Sequence, residues 1–268
     1  MLKLAQESQL LIDENGNASV KLSDNAVAIT PRGVDKSKLT GDDILLIQVD
    51  QEQRQIFVNS ERKPSIDSSV SDALYKAFPG LKAIIHTHSP WSLNGFRTSF
   101  PYPCGVKEEA EEVIRAIKQN SYQDNNPFLV KLIHHGYILG LAGELTIDKL
   151  EEQWKKVNED FKTHMAELSI SEEELAGSTL CAMISSKGII GYVLHHVDGT
   201  ISPRILDEYR GLGLGRELFE RLKEEDSIIK TIPECGVLRL YSAKGFETIK
   251  QDGRYHCLKA GSVQIRQK

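Results

Sequence analysis

Residues 64–89, PSIDSSVSDALYKAFPGLKAIIHTHS, combine the pattern of a helix with that of a strand ending in two histidines. Apolar residues at helical spacing over residues 70–77, followed by a Pro-Gly pair, predict a short helix and its end. The apolar run at residues 83–87 predicts a strand. Side chains two apart on a strand point to one face, so His86 and His88 leave the strand end together. A metal ion can use that geometry.

Composition sets the broad class of the protein. The chain has 268 residues, 26% charged, and a net charge of -5, so a nucleic-acid partner is not expected. No apolar run approaches the roughly 18 to 20 residues that span a bilayer, and the start lacks a secretory pattern. We therefore expect a cytoplasmic protein without a membrane partner. The four scattered cysteines predict free thiols and no disulfide framework: Cys104, Cys181, Cys235 and Cys257.

The sequence changes character near residues 165–175, which predicts an α/β domain at 1–165 and a mixed-sheet domain at 170–268. An amphipathic helix is predicted over 105–120, with Glu108–Glu112 on its solvated face. In the second domain, a hairpin turns near residue 187 and a later strand leads into a glycine-rich turn and a helix.

Two further residues join the histidine pair. His135 precedes a glycine at a strand break, and Asp67 stands in the loop before the helix. Catalytic zinc commonly takes three protein ligands and keeps one position open. Such a metal polarises a carbonyl or enediolate oxygen, and Asp67 would ligate it or move a proton. On spacing alone, a structural or surface role for the pair stays open.

Five ordered motifs resemble the class II aldolase/adducin family: GNAS (16–19), ITPRGVD (29–35), KPSIDSSVSDALYKAFPG (63–80), AIIHTHS (83–89) and HHGYILG (134–140). The central stretch is most similar to the ribulose-phosphate 4-epimerase branch. The resemblance implies zinc or another divalent metal at His86, His88 and His135, with Asp67 as a ligand or acid/base. It also implies a homo-oligomer, with a tetramer favoured, and a phosphate pocket lined by Asn17, Thr30, Arg32, Gly33 and Ser65.

The sequence also departs from this family. Arg32 stands where a small hydroxyl residue is usual, and Ile66 replaces a second serine. The segment 90–106 is shorter than in the family's enzymes, and a second module replaces the usual C-terminal tail. Because some relatives keep the fold without the metal chemistry, a non-catalytic role for this module stays open.

The stretch YRGLGLGRELFERL, residues 209–222, is the second chemical signal. Gly211, Gly213 and Gly215 precede a predicted helix whose first-turn N–H groups lack internal partners and can bind an anion. The glycine spacing fits neither a dinucleotide fingerprint nor a Walker A loop.

Arg210-x-x-Gly213-x-Gly215, together with LRLYSAKGFE at residues 238–247, resembles the GNAT N-acetyltransferases. The resemblance implies acetyl-CoA binding and a Tyr241 that protonates the departing thiolate. His196 or Glu208 would relay the amine proton, unless both are ordinary surface residues. The implied cofactor-binding residues are Arg210, Gly211, Leu212, Gly213, Leu214, Gly215 and Arg216.

The combined prediction is a metal-dependent lyase or epimerase for a small, phosphorylated hydroxy-carbonyl compound, fused to an acetyltransferase. One alternative keeps only the acetyltransferase active, on an aldolase-like oligomerisation scaffold. Another makes both modules non-enzymatic binding units. Acetyl-CoA binding would distinguish the two alternatives from each other. Bound metal would distinguish the combined prediction from both of them.

Overall fold

The computed structural model describes residues 1–11, 14–50, 55–120, 122–123, 125–133, 136–232 and 237–261. The chain divides into two units. The first consists of Met1–Lys156 with Ile184–Ile190, and the second of Val157–Met183 with Gly191–Lys268. The sequence boundary near residues 165–175 stays a prediction.

The first unit contains an eight-stranded sheet in the order β4-β3-β2-β1-β5-β8-β7-β6. Strand β5 runs antiparallel to both neighbours, β1 and β8. Every residue of β5 except Lys82 is buried, which accounts for its nearly unbroken apolar sequence. The strands are β1 Asn17–Ser23, β2 Ala26–Ile29, β3 Leu45–Asp50, β4 Gln55–Val58, β5 Leu81–Thr87, β6 Phe96–Arg97, β7 Phe128–Lys131 and β8 Tyr137–Ala142.

Helices α2 and α3 cover this sheet. Val70 and Leu74 of α2 and Val113 and Ile117 of α3 join Ile84 of β5 in one buried cluster. The helices predicted from the apolar periodicity in these two segments are confirmed. The helices assigned to the first stretch of chain are α1 Leu2–Glu7, α2 Ser68–Ala77, α3 Lys107–Gln119 and α4 Ile147–Glu167, the last of which continues into the second unit.

The solvated face predicted for α3 is wrong at two residues. Glu109 and Glu112 are 4% and 6% exposed. The Gly105 N–H donates to Glu109 Oε2 at 2.7 Å, and the Phe100 N–H donates to Glu112 Oε1 at 3.2 Å. These carboxylates are buried because they satisfy the backbone donors of the preceding loop.

A six-stranded sheet in the order β13-β14-β12-β11-β10-β9 follows. The predicted hairpin is confirmed, because β9 ends at Ser185 and β10 begins at Gly188. The remaining elements are β9 Thr179–Ser185, β10 Gly188–His195, β11 Ile201–Ile205, β12 Ile229–Thr231, β13 Phe246–Asp252, β14 Tyr255–Ala260, α5 Glu172–Leu175, α6 Leu214–Glu224 and α7 Val237–Ala243. None of the helices described is both long and apolar enough to cross a bilayer.

The glycine-rich turn differs from its prediction in one detail. Helix α6 begins at Leu214, so Gly215 lies in the first helical turn and does not precede the helix. Gly213 is the N-cap residue with φ of 80°, a left-handed conformation that favours glycine. Gly211 and Gly213 are therefore the two glycines of the turn itself, because Gly215 already belongs to the helix.

Candidate functional site

A hydrogen-bonded group of three buried side chains lies at the end of β5. The pairing of β1 with β5 places Asn17 opposite His86, and Asp67 immediately precedes α2. Asn17 Nδ2 donates to Asp67 Oδ2 at 2.7 Å, and His86 Nδ1 lies 2.8 Å from the same oxygen. A carboxylate only accepts hydrogen bonds, so Nδ1 carries the proton. The neutral ring then keeps its lone pair on Nε2.

His88 lies beside this group. Its ring stacks on that of His86, with centroids 5.0 Å apart and planes inclined by 30°. His86 is 3% exposed, whereas His88 is exposed. The two imidazoles therefore lie side by side, as the strand spacing predicts, with one of them accessible to solvent.

The third predicted metal ligand, His135, lies outside the described residues. The next residue, Gly136, has φ of 99°, and a Cβ built there would lie 2.3 Å from the carbonyl oxygen of Thr87. Only glycine fits against the end of β5 at this position. Within the described parts of the chain, no three His, Cys, Asp or Glu side chains gather closely enough to hold a metal ion.

The residues predicted to bind phosphate separate into two groups. Thr30 and Ser65 are buried and joined by a backbone hydrogen bond of 3.2 Å from Ser65 N to Thr30 O. Ser65 Oγ also accepts the Asp67 N–H at 3.4 Å. Arg32 and Gly33 are exposed in the adjoining turn. Hydrogen bonds of Ser65 thus connect Thr30 to Asp67.

The donor set fits a histidine-bound divalent metal. Metal-ligating imidazoles commonly donate their second N–H to a carboxylate, and Asp67 accepts that proton from His86. Asn17 Oδ1 is buried without a hydrogen-bond partner among the described residues. An unsatisfied buried amide oxygen is costly, so this atom is suited to accept a hydrogen bond from a bound molecule.

Cys104 lies near this group, although its scattered position in the sequence gave no sign of it. Burial raises the pKa of the Cys104 thiol to about 11, with added contributions from the negative charges of Asp67 and Glu109. Its neighbour Gly105 packs on the carbonyl of Ile66, so the loop covers the start of α2. The described cysteines, Cys104, Cys181 and Cys257, are free thiols as predicted, and Cys235 lies outside the described residues.

The second unit contains a cavity of about 690 Å³, here called the strand cavity. Residues 202–205 of β11 and 230–232 of the β12 segment line it on two sides. Among the described residues, the parallel pairing of these strands contains Ile201 opposite Ile229 and no further pair. The strands therefore separate beyond this pair, and the cavity occupies the space between them.

Part of the predicted acetyl-CoA loop lines the strand cavity. Arg210, Gly211 and Gly215 contribute to its wall, as does Tyr241. The other four predicted loop residues are outside the lining described for this cavity: Leu212, Gly213, Leu214 and Arg216. Leu212 is exposed, and Leu214 is buried.

Tyr241 packs edge-on against Phe219 and Phe246, with ring centroids 5.3 and 5.6 Å away. Burial raises the pKa of the Tyr241 hydroxyl well above its ordinary value. The phenol is therefore neutral and able to donate a hydrogen bond at any physiological pH.

A family model matches the amino-terminal part of the chain. The family described as Class II Aldolase and Adducin N-terminal domain matches residues 2–95. A methylthioribulose-1-phosphate dehydratase of Stenotrophomonas maltophilia is 30% identical over 132 residues, which cover 44% of this chain and 60% of the relative. A probable L-ribulose-5-phosphate 4-epimerase of Mycoplasma pneumoniae is 30% identical over 96 residues, covering 35% and 38%.

A solved L-fuculose 1-phosphate aldolase is 22% identical, with 54% of this chain and 72% of that chain covered and a TM-score of 0.42. The chain spans 60% of the length of the dehydratase it matches. The match over residues 2–95 supports a class II aldolase domain at the amino-terminal end of the chain.

Proposed function

We propose that the first unit is a divalent-metal-dependent lyase or epimerase acting on a small, phosphorylated hydroxy-carbonyl compound. The observation that carries this proposal is the shared hydrogen bonding of Asn17, Asp67 and His86 beside the exposed ring of His88. Such an arrangement fixes one imidazole in the tautomer a metal requires and leaves another accessible.

Each residue receives a role in this proposal. His86 Nε2 and His88 hold the metal together with His135, and Asp67 orients His86 through Nδ1 without being a ligand itself. When bound, the metal supplies a Lewis acid for a carbonyl oxygen. Asn17 Oδ1 accepts a hydrogen bond from a substrate hydroxyl. Thr30, Arg32, Gly33 and Ser65 form the phosphate end of the pocket, with Arg32 as the exposed cation.

The names of the relatives support a substrate class. One is a dehydratase named for methylthioribulose 1-phosphate, and another is an epimerase named for L-ribulose 5-phosphate. Both names describe phosphorylated ketopentose compounds. We therefore propose a phosphorylated ketose, and dehydration, retro-aldol cleavage and epimerisation are the reactions to screen.

The metal content of the purified chain tests this proposal. Elemental mass spectrometry should find about one divalent metal per chain, with zinc expected first. His86→Ala should lose this metal, whereas His164→Ala, a control in the second unit, should retain it. Circular dichroism would establish that both variants are folded.

Turnover completes the test. Phosphorylated ketoses incubated with the metal-loaded chain would be followed by NMR for loss of water, cleavage of a carbon–carbon bond or inversion at a carbon. If the folded wild-type chain binds no stoichiometric metal after incubation with zinc, the enzyme proposal for the first unit is wrong and a scaffold role replaces it.

A second activity is proposed for the second unit because the strand cavity opens between β11 and β12 beside the start of α6. We propose that this cavity binds acetyl-CoA and that the unit transfers the acetyl group to an amine. The first-turn N–H groups of α6 would hold the pyrophosphate, and the Arg210 guanidinium adds positive charge. Five residues at the end of α4 and just beyond it line the same cavity: His164, Met165, Glu167, Leu168 and Ile170.

Tyr241 has a modified role in this proposal. Because burial raises its pKa far above that of a thiol, complete proton transfer from Tyr241 to a thiolate is unfavourable. We propose instead that Tyr241 stabilises the departing sulfur as a hydrogen-bond donor.

Gly215→Leu tests acetyl-CoA binding without disturbing the helix. A Cβ at Gly215 meets no atom within 4 Å, and leucine is a better helix former than glycine. We expect the variant to keep its thermal stability but to lose acetyl-CoA affinity in calorimetric titration. Glu220→Leu, on the exposed side of α6, should bind as the wild type does. Equal affinity in both variants would argue against the strand cavity as the cofactor site.

A further inference from the structure

A second cavity adjoins the strand cavity within the second unit. It has a volume of about 550 Å³, and its walls include Glu174, Leu175 and residues 252–255, so it is called here the turn cavity. Four residues line both cavities: Ile170, His196, Lys230 and Tyr255. These shared residues form a junction at which molecules in the two cavities can meet.

His196 at this junction is held in one tautomer. Ser202 Oγ donates to the carbonyl oxygen of Lys230 at 2.7 Å, so its single hydrogen is already used. His196 Nε2 lies 2.8 Å from the same Oγ and must therefore be the donor in that contact. The neutral ring then has its lone pair on Nδ1. No group among the described residues hydrogen-bonds to that atom.

The turn cavity has charges of both signs on its walls. Glu174 and Asp252 contribute carboxylates, and Lys230 and Arg254 contribute cations. Lys230 lies 3.3 Å from Asp198, and the Arg254 guanidinium lies 3.2 Å from Glu174. A small molecule that has both an amino group and an acidic group can replace contacts of both kinds, whereas a simple amine can replace only one.

We infer that the two cavities form one site for two substrates. The strand cavity holds the acyl thioester, and the turn cavity admits an amine that also carries an acidic group. His196 Nδ1 is the base that takes the proton from this amine. The inference rests on the acetyltransferase activity proposed for this unit and adds the acceptor class and the catalytic base.

The proposed acetyl transfer forms one bond and breaks another at the carbonyl carbon. The amine nitrogen attacks the thioester carbonyl carbon, the C–N bond forms and the C–S bond breaks. The proton from the amine passes to His196 Nδ1, and the thiolate leaves with a hydrogen bond from Tyr241. The imidazolium then releases its proton through solvent to the thiolate, and the neutral base is restored.

The surroundings of His196 set the protonation state that this role needs. Burial lowers the pKa of the His196 imidazole, and the positive charge of Lys230 on β12 lowers it further. The neighbouring His195 acts in the same direction, whereas Asp198 in the turn opposes it. Tyr255 on β14 also lies at the junction, and Glu174 on α5, Asp252 and Arg254 line the turn cavity beside it. The ring is therefore neutral and able to accept a proton near pH 7.

The test measures thiol release from acetyl-CoA by the full-length chain with L-serine, L-lysine, L-glutamate and 1-aminobutane as acceptors. Transfer to at least one amino acid should exceed transfer to 1-aminobutane. His196→Gln should lower kcat by about 100-fold or more. Its acetyl-CoA affinity should stay unchanged. The rate of the wild type should rise with pH as His196 loses its proton, and this rise should be absent in the variant. His256→Gln, on β14 and outside both cavity linings, should keep the wild-type rate and profile.

The outcomes separate this inference from the proposal beneath it. A wild-type chain that fails to bind acetyl-CoA overturns both. A chain that binds acetyl-CoA but transfers to none of the four amines, or that transfers equally well with Gln at position 196, overturns the inference alone. If Ser202→Ala, which removes the contact to Nε2, shifts the pH profile without changing acetyl-CoA affinity, the assigned tautomer is supported. An unchanged profile counts against it.

Discussion

Asp67 is the carboxylate that we expect to control the metal affinity of the first unit. Its Oδ2 accepts hydrogen bonds from both Asn17 and His86, and we propose that this fixes the imidazole for metal binding. Asp67→Asn keeps the shape of the side chain but removes its negative charge, so His86 is held less firmly in its orientation. We expect a loss of about 10-fold to 100-fold in zinc affinity, measured by competition with a chelator. Asp42→Asn at an exposed residue should leave the affinity unchanged, and an unchanged value for Asp67→Asn would contradict the orienting role.

Gly136 provides a prediction on stability. Alanine there would combine a left-handed backbone with a Cβ 2.3 Å from the Thr87 carbonyl oxygen. We expect a loss of about 3 kcal/mol in the free energy of unfolding, measured by urea denaturation. Gly33→Ala is the matched control, because Gly33 has φ of 65° but open space around it. A loss for Gly136→Ala no greater than the control's would show that the end of β5 adapts.

The three buried side chains at the end of β5 show what can be predicted at the level of single residues. The two histidines follow from strand alternation, which is local in the sequence. The partnership of Asn17 with His86 depends on the pairing of β1 with β5, about 70 residues apart along the chain. Only the resemblance to a known family brought Asn17 into the predicted site, and nothing in the sequence indicated that the loop at Cys104 lies beside Asp67.

At the level of elements, the Glu112 carboxylate links helix α3 to the loop before it. Glu112 Oε1 accepts the N–H groups of Ser99 and Phe100, and Glu112 also pairs with Arg115. The Arg115 hydrogen bond is the largest cause of a lowered pKa of the Glu112 carboxyl, with the two backbone donors adding to it. Because the folded-state pKa is lower than the unfolded one, the stabilisation is present above the unfolded pKa. It is lost as pH falls through the folded value.

Glu112→Gln should therefore change the pH dependence of stability. The wild type should be the more stable protein at about pH 6, and its advantage over the variant should shrink as the pH falls to about 3. Urea unfolding across this range measures the difference. Glu111→Gln, at an exposed residue of the same helix, should follow the wild type. A constant difference between wild type and Glu112→Gln would show that packing, not ionisation, determines the effect.

The elements also show where pattern reasoning succeeds. Helices α2 and α3 and the β9–β10 hairpin were predictable because their signals lie within a few residues of each other. The burial of Glu109 and Glu112 was not, because their partners are backbone donors in a loop whose path no periodicity reveals. The prediction placed Gly215 before α6, whereas the helix begins one residue earlier. A glycine in a turn and a glycine in the first turn of a helix cannot be told apart from the sequence.

For the whole molecule, the division into units does not follow the order of the chain. Residues 184–190, at the tip of the β9–β10 hairpin, belong to the first unit. Ile184 exchanges backbone hydrogen bonds with Trp91 and Leu93, at 2.9 and 2.7 Å. Gln153 donates to Lys187 O at 2.8 Å and accepts the Ile189 N–H at 3.0 Å. Ile184, Ile189 and Ile190 are fully buried.

A fragment of residues 1–165 should therefore be less stable than the same unit in the full chain. Four hydrogen bonds worth about 1 kcal/mol each and the burial of three isoleucines are missing. The chain's two tryptophans, Trp91 and Trp154, both lie in the first unit, so their fluorescence reports its unfolding in urea. A fragment of residues 1–195 should recover part of the loss. Equal midpoints for the shorter fragment and the full chain would show that the tip is dispensable.

The hairpin tip also has a consequence for synthesis on the ribosome. An amino-terminal domain made of consecutive residues can fold as soon as its last residue has left the exit tunnel. Here the last residues of the first unit, 184–190, follow the 27 residues Val157–Met183, which belong to the other unit. The nascent first unit therefore lacks its last seven residues, 184–190, while the intervening segment is made. Slow translation between residues 157 and 190 should prolong its exposure to chaperones and proteases.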